Sequence, residues 1–112
     1  MNWQQIEDQF GKEISDSLYK SKIRRDVIRL LKYNYPLTVY SCSLKLRASY
    51  ANTKGAIQGY GRGYPREYSL VHLGILIEEK RNTTTIYRLS KNGLQLAELL
   101  EEAGYDRNVQ SC

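Results

Sequence analysis

Metal ligands are almost missing from this sequence, which holds one histidine, His72, and two cysteines, Cys42 and Cys112. They form no cluster with the spacing of a zinc site, so no metal and no cofactor is expected. Cys42 falls on an apolar stripe and Cys112 ends a polar tail, which argues against a structural disulfide and fits a reducing compartment. No apolar run approaches the roughly 20 residues that span a bilayer, and the start MNWQQIEDQF lacks the basic-then-apolar order of a signal peptide. A cytoplasmic chain without a membrane partner is therefore expected. A nucleophile–base pair and a convergence of carboxylates on the histidine are also lacking, so the chain does not read as an enzyme, and no small-molecule ligand is evident.

What the sequence does have is charge sorted along its length. Residues 1–19 set Lys12 against Glu7, Asp8, Glu13 and Asp16, and residues 92–112 set Arg107 against Glu98, Glu101, Glu102 and Asp106, so each end carries −3. The total of +5 then puts +11 on residues 20–91. A concentration of that size attracts a polyanion through counterion release.

The apolar spacing divides the 112 residues into one modest domain with attachments. Trp3, Ile6, Phe10 and Ile14 recur every three or four positions and predict one amphipathic helix over residues 1–19. Four such side chains represent roughly 6–10 kcal/mol of transfer free energy, and a homodimer interface is the expected cover; packing on the domain's own last helix is the competing solution. Ser21 caps a second helix with Ile23, Val27, Leu30 and Leu31 inside and Lys22, Arg24, Arg25, Arg29 and Lys32 outside, ended by Asn34 and Pro36. Thr38 caps a short helix with Val39, Cys42 and Leu46 on one stripe, and Ser49 caps the next, from Tyr50 to Gly59. Glycines 59, 61 and 63 stop that helix, and Pro65 favours a restart. Ile75–Glu79 and Thr85–Leu89 alternate as strands around a Lys80–Thr84 tip, with Asn82 able to take a positive φ. Ser90 caps a last helix with Leu94, Ala97 and Leu100 inside, joined by Leu96 and Ala103 and ended by Gly104, before a frayed tail over 104–112.

The run TVYSCSLKLRASYANTKGAI resembles the helix-turn-helix of winged-helix transcription regulators, with Cys42 and Leu46 at the buried leucine positions and Ser43 at the small one. The run SLVHLGILIEEKRNTTTIYRLSKNGLQLAELLEE is similar to that family's second half. The fold implied is mainly α with a small β-hairpin (α+β), a winged helix-turn-helix over residues 20–103 with an extra N-terminal helix. The insertion QGYGRGYPREY departs from the common pattern and resembles that of a group of archaeal winged-helix proteins. It lacks the strand that a dinucleotide loop needs before it. Its tyrosines and arginines suit phosphate contacts and stacking, or else form a structural loop under the wing.

The resemblance implies a small regulator that binds duplex DNA as a dimer, its terminal helices building the dimer. Tyr50, Asn52, Lys54 and Gln58 form the outward face of the reading helix, Gly55 allows close backbone approach, and Arg62 and Arg66 extend the face into the insertion. Asn and Gln suit adenine and Arg suits guanine. Lys80, Arg81 and Thr83 arm the wing, Arg88 assists from the strand, and Arg24 or Arg25 holds a phosphate at a helix start. Two other readings stay open: a module that docks a protein through its N-terminal helix, and an RNA binder.

Overall fold

Gly11 divides the helix that the spacing of Trp3, Ile6, Phe10 and Ile14 predicts as continuous. The structure, a computed structural model that describes residues 3–102, has α1 over Trp3–Phe10 and α2 over Lys12–Lys20, with Gly11 between them at φ +102°. A side chain is strained at that φ, so glycine sets the break. The bend lays Ile6 and Ile14 into the chain's own core, 0% and 7% exposed, with Trp3 and Phe10 half-buried against it. For Ile6 and Ile14 the expected dimer stripe is thereby corrected, because both are buried in the chain's own core. The expectations for Ala103, Gly104, Cys112 and the tail lie outside the described residues.

Ser21 ends α2 and caps α3 (Lys22–Tyr33), its hydroxyl accepting from Arg24 N at 3.2 Å. Val27, Ile28 and Leu31 are buried on α3, and this helix touches α2, the helix-turn-helix, the hairpin and the last helix. Arg24 and Arg25 do not face outward. They are 3% and 6% exposed, and their Nη1 atoms donate to Ser17 O at 3.1 Å and to Leu18 O at 2.6 Å, Arg25 also reaching Tyr19 O at 3.2 Å. The last carbonyls of α2 have no intrahelical partner and sit at its negative end, so two cations from the next helix turn inward to them.

Thr38 and Ser49 cap α4 (Val39–Leu46) and α5 (Tyr50–Gln58), accepting from Ser41 N and Asn52 N, each at 3.0 Å. Arg47, in the left-handed region at φ +55°, makes the tight turn between them, and Ala48 N closes onto Ser43 O. Cys42 and Ser43 are buried and Leu46 is half-buried, as the family's pattern implies. Burial pushes the Cys42 thiol up to about 11, so it stays protonated at neutral pH.

Gly59, at φ +86°, turns the chain out of α5. The carbonyls of Ala56 and Ile57 would next accept from residues 60 and 61, but they accept instead from Leu70 and Val71, both at 3.0 Å. Residues 60–69 are thus an excursion that leaves the helical ladder and re-enters it in register. The restart expected at Pro65 is a single 3₁₀ turn, Arg66–Tyr68. Leu70, fully buried, then leads through Gly74, at φ +74°, into β1 (Leu76–Arg81).

β1 pairs antiparallel with β2 (Thr84–Leu89), Leu76 opposite Leu89 and Arg81 opposite Thr84. The strands run further than the alternation suggests, leaving a two-residue tip of Asn82, at φ +57°, and Thr83; Lys80 and Arg81 belong to β1. Tyr87, opposite Glu78 in β1, gives its own N–H and C=O to Leu37, N to O at 2.8 and 3.1 Å, so β2 lies between β1 and the Leu37 segment.

In α6 (Lys91–Glu102) the buried face is Gly93, Leu96, Ala97 and Leu100, whereas Leu94 is 46% exposed. Counting apolar side chains misplaces this stripe because its first member has none. Ser90 caps the helix, accepting from Gly93 N at 3.1 Å while donating to Gly74 O at 2.6 Å. A Cβ on Gly93 would lie 2.3 Å from Ile75 O. Propensity alone would make Gly93→Ala stabilising by about 1 kcal/mol. We expect the opposite, a loss of about 1–3 kcal/mol from overpacking against fixed backbone, read as a lower urea midpoint with an unchanged slope. A higher midpoint would mean that α6 does not rest on Ile75.

Candidate nucleic-acid interface

Caps and turns decide which side chains of α5 reach solvent. With Thr53, Ala56 and Ile57 buried, Tyr50 and Asn52 are exposed and Lys54 and Gln58 half-buried. Gly55 is not on the outer face. A Cβ there would meet Cγ and Cδ2 of Tyr64 at 2.5 Å, so its missing side chain makes room for a ring of the excursion rather than for a strand of nucleic acid.

Between α5 and the hairpin lies a cleft of about 400 Å³. Tyr50, Lys54 and Gln58 line it from α5 and Thr83, Thr84, Thr85 and Tyr87 from the hairpin, with Thr38, Val39 and Tyr40 at the start of α4. No carboxylate is among these lining residues. Four of the expected residues, Tyr50, Lys54, Gln58 and Thr83, therefore meet at one place. Thr38 and Tyr40 were missed; the signal was available in the Thr38 cap, which marks a helix start that had to open somewhere.

Gln58 is fixed by Tyr87. Its Nε2 donates to the Tyr87 hydroxyl, which in turn donates to Glu78 Oε2 at 2.8 Å, the residue paired with Tyr87 across the hairpin. Burial, and the neighbouring Glu78, raise the Tyr87 phenol well above its ordinary range despite the hydrogen bond from Gln58, so it stays neutral as both donor and acceptor. The amide of Gln58 keeps Oε1 and its second Nε2 hydrogen, the pair that suits an adenine edge. Lys54 Nζ stands 5.0 Å from the ring of Tyr60, which is 54% exposed.

The other expected contacts are spread wider. Arg66 and Lys80 line a neighbouring cleft of about 550 Å³ that shares Gln58 and includes His72 and Glu78. Arg81 is exposed at the hairpin tip and pairs with Glu79 at 2.8 Å, which holds that carboxyl below its usual range; Arg88 is exposed on β2. Arg62 is exposed within the excursion, and Arg24 and Arg25 are turned inward as described. The excursion itself packs inward: Tyr64 lies under the Arg24 guanidinium at 5.5 Å, and Ser17 Oγ donates to Tyr68 O at 2.6 Å. Of the two uses open for its tyrosines, packing describes Tyr64 and Tyr68, although Tyr64 packs on α5 and α3 and Tyr68 on α2 rather than under the wing. Among the described residues there is no group of His, Cys, Asp and Glu that could hold a metal, and no helix is long and apolar enough to cross a membrane.

An uncharacterized protein of Methanocaldococcus jannaschii, MJ0905, is 32% identical over 92 residues, covering 80% of this chain and 83% of that protein. A solved structure described as disulfide-formed AbfR superposes over 90% of this chain with a TM-score of 0.56 at 21% identity, a likeness of fold consistent with a winged helix; the chain spans 66% of that protein's length. A family model described as EarA-like matches residues 14–100, from α2 through the helix-turn-helix, the excursion and the hairpin into α6, and the chain belongs to the EarA-like family.

Proposed function

We propose that this chain is a DNA-binding transcriptional regulator that acts by binding rather than catalysis, with α5 in the major groove and the hairpin on the adjoining backbone. The observation that carries this is the cleft between α5 and the hairpin, where one lysine, four threonines and three tyrosines converge without a carboxylate. Such a lining suits a sugar-phosphate strand, which needs donors and positive potential, while Gln58 within it and the exposed Asn52 elsewhere on α5 have the amides that read adenine. The +11 carried by residues 20–91 supplies long-range attraction. A homodimer and a cytoplasmic location remain part of the proposal. With Ile6 and Ile14 inside the chain's own core, pairing two copies calls for a surface other than that stripe.

Duplex affinity should fall steeply between low and moderate salt, on the order of tens-fold or more for several phosphate contacts. Lys54→Gln should weaken all duplexes alike and lower the salt slope by about one. A flat response, or single-stranded RNA bound as tightly as duplex at matched salt, would overturn the proposal.

Asn52→Ala should cost about 1–3 kcal/mol on the preferred sequence and little on others. Tyr87→Phe tests the same readout from the inside, because it removes only the hydroxyl that orients Gln58. Selectivity at one base position should relax while non-specific affinity holds. Unchanged selectivity in both variants would take base reading away from α5.

A further inference from the structure

A second cleft, of about 570 Å³, opens between the α2–α3 junction and the excursion. Its charged lining has one sign: Lys20, Lys22, Arg24 and Arg62, brought from both sides of that junction and from the excursion, with no carboxylate among the lining residues. Lys22 also bonds Asp26 at 2.7 Å, an exposed pair one helical turn along. The rings of Tyr64 and Tyr68 form walls, each already facing a cation, Arg24 at 5.5 Å and Lys20 at 5.0 Å.

Two independent features point to an anion. The first is the start of α3, a helix of 12 residues that begins in this cleft at Lys22, so its positive end and the first-turn N–H groups that the Ser21 cap does not take are presented there. The second is Arg24, which lines the cleft though only 3% exposed. Among the described residues its guanidinium makes one hydrogen bond, from Nη1 to Ser17 O, and its buried Nε has no partner. Burial lowers its pKa, with Tyr64 and Tyr68 opposing. A buried cation facing carbonyls and rings but no carboxylate is costly until an anion arrives. Four cations, two of them planar forks, match an ion with several charged oxygens better than a single carboxylate.

We propose that this cleft binds a phosphate group, carried either by a nucleic-acid strand or by a free phosphate ester. It shares no lining residue with the cleft between α5 and the hairpin, and it stands independently of the DNA-binding proposal.

The test uses the full chain, labelled with ¹⁵N and titrated with inorganic phosphate at an ionic strength held constant with chloride. Saturable shifts are expected at the amides of Ser21–Arg24 and at Gly63 and Tyr64. In the Lys22→Gln/Arg62→Gln double variant, whose two sites are exposed and whose fold the same spectra report, binding should weaken about tenfold or more, as for loss of a charge-assisted hydrogen bond. Shifts that never saturate, that chloride alone reproduces, or that persist in the double variant would overturn the site. A short duplex added to the phosphate-loaded chain separates the sources. Displacement assigns the site to the strand's own phosphate, and retention assigns it to a free phosphate ester. Because the first titration contains no DNA, its failure is distinct from a failure of duplex binding.

Discussion

The carbonyls of Ala56 and Ile57 must find donors, and most of this fold follows from where they find them. A helix end buried without partners is costly, and Gly59 has already turned the chain away. Leu70 and Val71 fill the two vacant rungs. That closure drops Leu70 into the core, aims Gly74 and Ile75 at the start of the hairpin, and leaves residues 60–69 to fold over the outside. The excursion then leans two ways: Tyr64 on Gly55 of α5 and Arg24 of α3, and Tyr68 tied to Ser17 of α2. The N-terminal helices and the insertion, both additions to a simple winged helix, hold each other in place.

Charge counted along a chain differs from charge that reaches solvent. Of the cations behind the +11, Arg24 and Arg25 are turned inward to the end of α2, and Lys22 and Arg81 have carboxylate partners. Exposed ion pairs of this kind contribute little to stability. They do thin the field that a nucleic acid would meet, and the cation left facing the α5–hairpin cleft is Lys54. Threonine and tyrosine hydroxyls, the Gln58 amide and Val39 make up the rest of that lining, which suits close contact.

Local chemistry was the legible part of the sequence. Hydroxyls at Ser21, Thr38 and Ser49 cap the helices they mark, the glycines end α5, and the alternation around Asn82 forms the hairpin. Positions whose meaning lies across space were not legible. Gly11 sits inside a regular apolar spacing that continues past it, so nothing local announces a bend. Arg24 and Arg25 look like solvated charge until the carbonyls of another helix are placed beside them. Gly55 and Gly93 are silent in any apolar count, yet each sits where a neighbour leaves no room for a Cβ. Of the candidate site, the α5 residues and Thr83 were readable from the pattern, whereas Tyr40 and the fixing of Gln58 by Tyr87 needed the fold.

Tyr87 has its backbone N–H and C=O engaged by Leu37, its ring in the core and its hydroxyl between Gln58 and Glu78. A glutamine free in water samples many rotamers, and ordering one during association costs on the order of 0.5–1.5 kcal/mol. Here that ordering is completed when the hairpin folds, before any partner arrives. Helix α5 and the hairpin also share this side-chain chain of hydrogen bonds, so neither can tilt without straining the other. Under the proposed function, a nucleic acid fitted to both must adjust its own groove width and backbone path to a template of fixed spacing, and sequence-dependent stiffness of the duplex would then become part of what is recognised.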